Sequence, residues 1–271
     1  MGRIEDAGIE DARTSMAITF DGTFEGFLCI VYAYYYDKIL PESIQTDSYQ
    51  QTLDTEEFYI TTDNTKAMKV QLAIREKISH HAEDYLTYAF LSGAIEDDSQ
   101  YMNMFHYILL GFKVGARVDD HLQQDYVLGV HKMARNVGRE AHLLCGFSRF
   151  AKTDNDIYYC DISPRNNVLP ILAEHFSDRM ISQAWVIHDK KRNQAAIYNG
   201  QGYIICDVPK GVNVDFGDDE DKIRNLWGTF FKHLSIKERE NKKLQRGMLP
   251  LYFRKHMTEF QLVSVTNQLD L

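Results

Sequence analysis

Residues 184–207, AWVIHDKKRNQAAIYNGQGYIICD, decide the fold. Three short runs, Ala184–Asp189, Ala195–Tyr198 and Tyr203–Asp207, carry the pattern of strands, and polar turn residues separate the first two. The break at Lys190–Asn193 is short enough for a hairpin, so pairing across it is antiparallel. Toward the amino terminus, Gly146–Ala151 and Ile157–Ile162 read as two further strands, joined by a second hairpin turn at Thr153–Asp156. Between the hairpins the period changes. Leu169, Leu172, Ala173 and Phe176 fall on one face of a helix over about 167–179.

Further upstream the helical period dominates. Ala17–Phe20 reads as a short strand followed by the turn Asp21-Gly22. Thr23 then caps a helix with Phe24, Phe27, Leu28, Val31 and Tyr35 on one face, ended by Pro41. Glu42–Glu56 is polar and reads as a loop, and Glu57–Thr61 as a strand. A helix starting at Asp63 or Asn64 turns Ala67, Val70, Ile74 and Ile78 inward. Helices follow near His81–Ser92, Ser99–Lys113 and His121–Cys145. The fold expected is α+β: a helical N-terminal half packed with a mostly antiparallel sheet, then C-terminal basic helices. The organisation expected is a disordered leader over 1–15, a single domain over 16–262 and a tail over 263–271. Within the domain the helical part covers about 21–145, the sheet part about 146–208 and the last helices about 220–260.

Composition narrows the classes of function. The chain has 271 residues, 44% hydrophobic and 25% charged, as in an ordinary soluble globular protein. No apolar run approaches the roughly 20 residues that cross a bilayer, and the acidic start MGRIEDAGIEDARTS is unlike a signal peptide. A cytoplasmic protein with no membrane partner is therefore expected. Cys29, Cys145, Cys160 and Cys206 form no CxxC pair, which fits reduced core thiols and offers no zinc or iron-sulfur site. No cofactor and no metal are expected, and GxGxxG, Walker A and GxSxG motifs are absent from the sequence.

Charge is distributed unevenly. Between Lys232 and His256 eight basic residues face two acidic ones, a surplus of six inside a chain of net −9. Ser235 and Glu238 form a capping box for the basic helix. Lys242 and Arg246 lie four apart on one face, with Lys243 and Arg239 nearby, an arrangement suited to two or three phosphates. The neighbouring aromatics Trp227, Phe230, Phe231, Tyr252 and Phe253 either pack or stack. Basic helix faces are more often merely solvated, and aromatics at helical spacing more often belong to a core.

Two other clusters are rich in polar groups. In VGREAHLLCGFSRF, Val137–Phe150, Glu140 and His142 offer an acid and a base, and Arg149 follows on the next strand. Residues i and i+2 of a helix point about 200° apart, so that pair shares a site only where the helix has already ended. In AEHFSDR, His175 and Arg179 lie one turn apart and suit a phosphate or carboxylate. Salt bridging is the plainer role for both clusters. His188 and Asp189 close the strand in WVIHDKKR, where Asp189 equally well begins the turn.

DGTFEGFLCIVY at Asp21–Tyr32, VGREAHLLCGFSRF, HFSDR with WVIHDKKR, and LWGTFFKHLSIKERENKKLQRGMLPLYF at Leu226–Phe253 occur in the order of a known family. Together they resemble the domain-of-unknown-function family numbered 4130 over nearly the whole chain. The resemblance implies a protein of DNA metabolism or repair, encoded beside a radical-SAM protein regarded as a DNA modification or repair enzyme. It supplies no catalytic residue to carry over. With the charge asymmetry, it leads us to expect an accessory DNA-binding protein acting with a radical-SAM partner. Its expected DNA contacts are Arg239, Lys242, Lys243, Arg246, Arg149, Arg179, His175 and Trp227. One alternative is an enzyme acting on a nucleotide or damaged base, with Glu140 or His142 as acid/base and Trp227 as a stacking wall. Another is a non-catalytic adaptor whose basic face recognises a partner protein.

Overall fold

The hairpin that anchors the reading closes as its turn chemistry requires. In the computed structural model Asn193 takes a left-handed conformation, φ 56°, which asparagine tolerates better than branched residues. The structure describes residues 14–47, 57–93, 99–209, 214–217, 219–234 and 241–260. The chain divides into two compact units, Met1–Asn136 and Val137–Leu271. The class is α+β, as expected.

The first unit holds a parallel three-stranded sheet in the order β2-β1-β3, from β1 (Thr14–Phe20), β2 (Ile39–Thr46) and β3 (Glu57–Ile60). Helix α1 (Phe24–Tyr36) joins β1 to β2, and Thr23 caps it by accepting from the Gly26 amide. Asp63 caps α2 (Asn64–Lys77) in the same way, and α3 (His80–Phe90) and α4 (Ser99–Val114) follow. Ile18, Phe20, Phe27, Ile30, Ile44, Ile74, Leu86, Phe105 and Tyr107 form the buried centre.

Two expectations are corrected here. Helix α1 stops at Tyr36, with Lys38 left-handed at φ 60°, and Pro41 lies inside β2. The stretch beginning at Glu42 is thus a strand as far as Thr46, whereas the sequence reading made it loop. A shift of register between Met16 and Ala17 opposite Pro41 accommodates the proline on an edge strand, the position where a missing N–H costs least.

Helix α5 (Asp125–Phe147) begins in the first unit and runs on into the second, extending through Gly146 and Phe147, residues expected to begin a strand. Pairing begins at Ala151, with β4 (Ala151–Lys152) followed by an isolated bridge from Thr153 to Phe216. Strands β5 (Tyr158–Ile162), β6 (Trp185–Asp189), β7 (Gln194–Tyr198) and β8 (Tyr203–Asp207) complete a sheet in the order β4-β5-β6-β7-β8. Pairing is antiparallel except between β5 and β6, which run parallel because α6 (Leu169–Arg179) crosses over between them. Helix α6 buries Leu169, Leu172, Ala173 and Phe176, the face read from the sequence. Helices α7 (Glu220–Leu234), α8 (Lys242–Met248) and α9 (Leu251–Arg254) end the described chain. The Ser235–Glu238 capping box lies outside the described residues; Asn241 caps α8, accepting from the Leu244 amide.

Candidate functional site

The crossover gives the second sheet one parallel pair, and parallel strands collect functional groups at their carboxyl ends. There Asp161 of β5 stands in register with His188 of β6. Ser163 follows β5 and Lys190 follows β6. Tyr159 Oη lies 2.7 Å from Asp161 Oδ1 and 2.7 Å from His188 Nδ1. An ionised carboxylate only accepts, so the phenol donates to Asp161 and accepts from the His188 Nδ1–H. Lys190 Nζ sits 3.4 Å from the same carboxylate oxygen. Burial, with Lys190 adding to it, holds His188 below its ordinary pKa and keeps the imidazole neutral. Burial pushes the Tyr159 phenol upward, and Asp161 pushes it further.

Ser163 meets a second histidine. Its Oγ lies 2.8 Å from Nε2 of His256, 93 positions later in the chain. A cleft with room for about one water is lined by Ser148, Asp161, Ser163, Tyr252 and His256. Burial lowers the pKa of His256; Lys255 and Lys190 act in the same sense, while Asp161 and Asp189 oppose them. In the neutral tautomer that carries its proton on Nδ1, Nε2 accepts the Ser163 hydroxyl proton at this distance.

The loop after β5 is fixed from both sides. Glu140, 4% exposed, accepts from the main-chain amides of Arg165 at 2.9 Å and Asn166 at 2.8 Å, from the Asn166 side chain at 2.6 Å and from Tyr252 Oη at 3.1 Å. Across the loop, the Arg192 guanidinium donates to the carbonyls of Pro164 and Arg165, and Lys191 Nζ to that of Arg165. Arg192 is itself held by the buried Asp189 at 2.8 Å. Arg165 lies over the Tyr252 ring, 4.8 Å from its centre.

The structure places the residues singled out in the sequence in four settings. Glu140 and His142 diverge, because α5 is still helical at both; Glu140 is buried in its four bonds and His142 is exposed. Arg149 is bound to Glu259 at 2.7 Å and lies 5.7 Å from the centre of the Trp227 ring, whose indole N–H also donates to Glu259. Burial drives the Glu259 carboxyl up, but Arg149 first, and then Trp227, bring it below its ordinary value. His175 and Arg179 are exposed on α6. Lys242, Lys243 and Arg246 are exposed on α8, a helix that buries none of its residues. Arg239 lies outside the described residues. Trp227 is 39% exposed and shares a face of α7 with Ile223, Leu226 and Phe230, all exposed.

Sequence reasoning missed Ser163, Asp161 and His256. The alternation Asp161-Ile162-Ser163 at a strand end was the only local signal, and nothing local links it to His256. Among the described residues no group of three or more His, Cys, Asp or Glu side chains is arranged for a metal ion. No described helix is long and apolar enough to cross a membrane.

A family model described as Domain of unknown function (DUF4130) matches residues 98–259. No curated protein matches the chain. Among solved structures, a pGpG-specific phosphodiesterase, PggH from Vibrio cholerae, is similar at 10% identity and a TM-score of 0.35, over 82% of this chain and 99% of that one. A likeness of that degree bears on neither fold nor function.

Proposed function

The chain belongs to the DUF4130 family, and from that premise we propose that it is an accessory DNA-binding protein of DNA repair or modification that works with a radical-SAM partner. The observation that carries the reading is α8: Lys242, Lys243 and Arg246 are all exposed on a helix with no core to serve. Within a chain of net −9, cations gathered in this way suit the phosphate backbone locally while the remaining surface limits indiscriminate binding. His175 and Arg179, exposed on α6, are available for further contacts. Arg149 contributes less, since its guanidinium is engaged by Glu259 and by the carbonyls of Gly146 and Ser148.

Replacing Lys242, Lys243 and Arg246 by Glu tests the proposal. Because α8 buries nothing, the fold should survive. Affinity for single- or double-stranded DNA should collapse, and the slope of log K against log salt should become shallower by about 2 to 3. Unchanged affinity and slope would reject the reading. Binding confined to the purified radical-SAM partner, with none to DNA at low salt, would identify the basic face as an adaptor surface instead.

A further inference from the structure

The polar cluster at the carboxyl ends of β5 and β6 goes beyond DNA binding. The geometry points to a base-activated serine there: Ser163 is a nucleophile, His256 its general base, and a phosphate ester the substrate class. Three independent features carry this.

The first is the contact itself. Oγ and Nε2 at 2.8 Å are within the reach that proton transfer requires. The second is rigidity. Ser163 opens a loop whose amides are taken by Glu140 and whose carbonyls are taken by Arg192 and Lys191, so the nucleophile is held by a shell of buried and charged groups. Glu140 is thereby a positioning residue. The third is charge. Lys190, Lys191, Arg192, Arg165 and Lys255 gather around the cluster, and Asp161, Asp189 and Glu140 are the carboxylates set against them. A surplus of cations beside a neutral imidazole suits an anionic substrate, with Lys190 placed to meet a phosphate oxygen.

In the first step the Ser163 Oγ–P bond forms and the ester P–O bond breaks. The hydroxyl proton passes to His256 Nε2 and from there to the departing alkoxide. In the second step water gives its proton to His256 and its oxygen to phosphorus. The Oγ–P bond breaks and Ser163 recovers its proton, so the net reaction is hydrolysis.

The test uses the full chain and an alkyl fluorophosphonate, which a serine attacks with loss of fluoride. Mass mapping should find one adduct, on Ser163, absent from Ser163→Ala. His256→Gln should slow labelling by about 100-fold or more. The rate should rise with pH and level off below the ordinary histidine value of about 6.5, as Ser163, Asp161, Asp189, Lys190 and Lys255 set the state of His256. Where His256→Gln fails to fold, Lys190→Gln decides: it should raise KM for bis(p-nitrophenyl) phosphate, and the pH at which labelling levels off should move upward, because a cation that lowers the His256 pKa is gone. No adduct on Ser163 in protein whose circular dichroism is native would overturn the inference. Labelling indifferent to His256→Gln, or Lys190→Gln without effect on KM, would do so as well.

Discussion

At the scale of single residues, Glu140 shows how an acidic side chain that reads as catalytic can be structural in its geometry. Both of its oxygens are occupied, one by the Arg165 amide and Tyr252, the other by the amide and side chain of Asn166. Truncation to Ala strands those buried donors, which costs far more than the net value of the bonds themselves. Glu140→Ala should therefore lower stability by about 3 to 5 kcal/mol, measured from urea midpoints. Glu140→Gln should also destabilise, because it turns one acceptor into a donor facing N–H groups. A Glu140→Gln protein as stable as the parent would show that the loop does not depend on this carboxylate. Tyr252 reports the same bond from the other side. Burial raises its phenol to about 12, and Glu140 contributes to the rise.

Elements were legible where a local signal was sufficient for their formation. Thr23 and Asp63 announced their helices, and α6 buries the four residues its period selected. The turn leading into α1 allows a direct test. Asp21 accepts from the amide and hydroxyl of Thr23 and from the Thr62 hydroxyl, and a Cβ at Gly26 would press on Asp21 and come within 2.7 Å of Thr62 Oγ1. Thr23→Ala should cost about 1 kcal/mol through the lost cap. Gly26→Ala should cost about 1 to 3 kcal/mol, since it must displace two groups that hold each other. Equal stability of Gly26→Ala and the parent in a thermal melt would show that this turn yields freely. Strand partners were less legible than strand positions. Pro41 suggested a stop because proline lacks an N–H, yet an edge strand needs no donor on its outer side. The parallel β5–β6 pair follows from a crossover helix, a relation that no two-residue period contains. His256 reaches Ser163 only through tertiary structure, so the candidate site stayed hidden although all its residues were in view.

Over the whole molecule, titration should weaken the fold from the acid side in two stages. His188 and His256 have folded pKa values below 6.5, with burial the main cause. Between the folded value and 6.5 the unfolded chain binds a proton that the folded chain refuses, so stability falls once the pH drops below about 6.5. Carboxylates act later. Arg75 brings Glu83 below its ordinary value, assisted by Gln71, and Arg149 with Trp227 does the same for Glu259 against its burial. For these the stabilisation is complete above the unfolded pKa near 4 and disappears as the pH falls through the folded values. Net charge alone leads to the opposite expectation between pH 7 and 6. The chain approaches its isoelectric point of about 5.6 there, where self-repulsion is least. Urea midpoints from pH 8 to 4 at constant ionic strength separate the two. A steady fall beginning near pH 6.5 and steepening toward pH 4 assigns the loss to the buried histidines and then the paired carboxylates. A maximum near pH 5.6 would assign control to net charge and remove the histidines from the account.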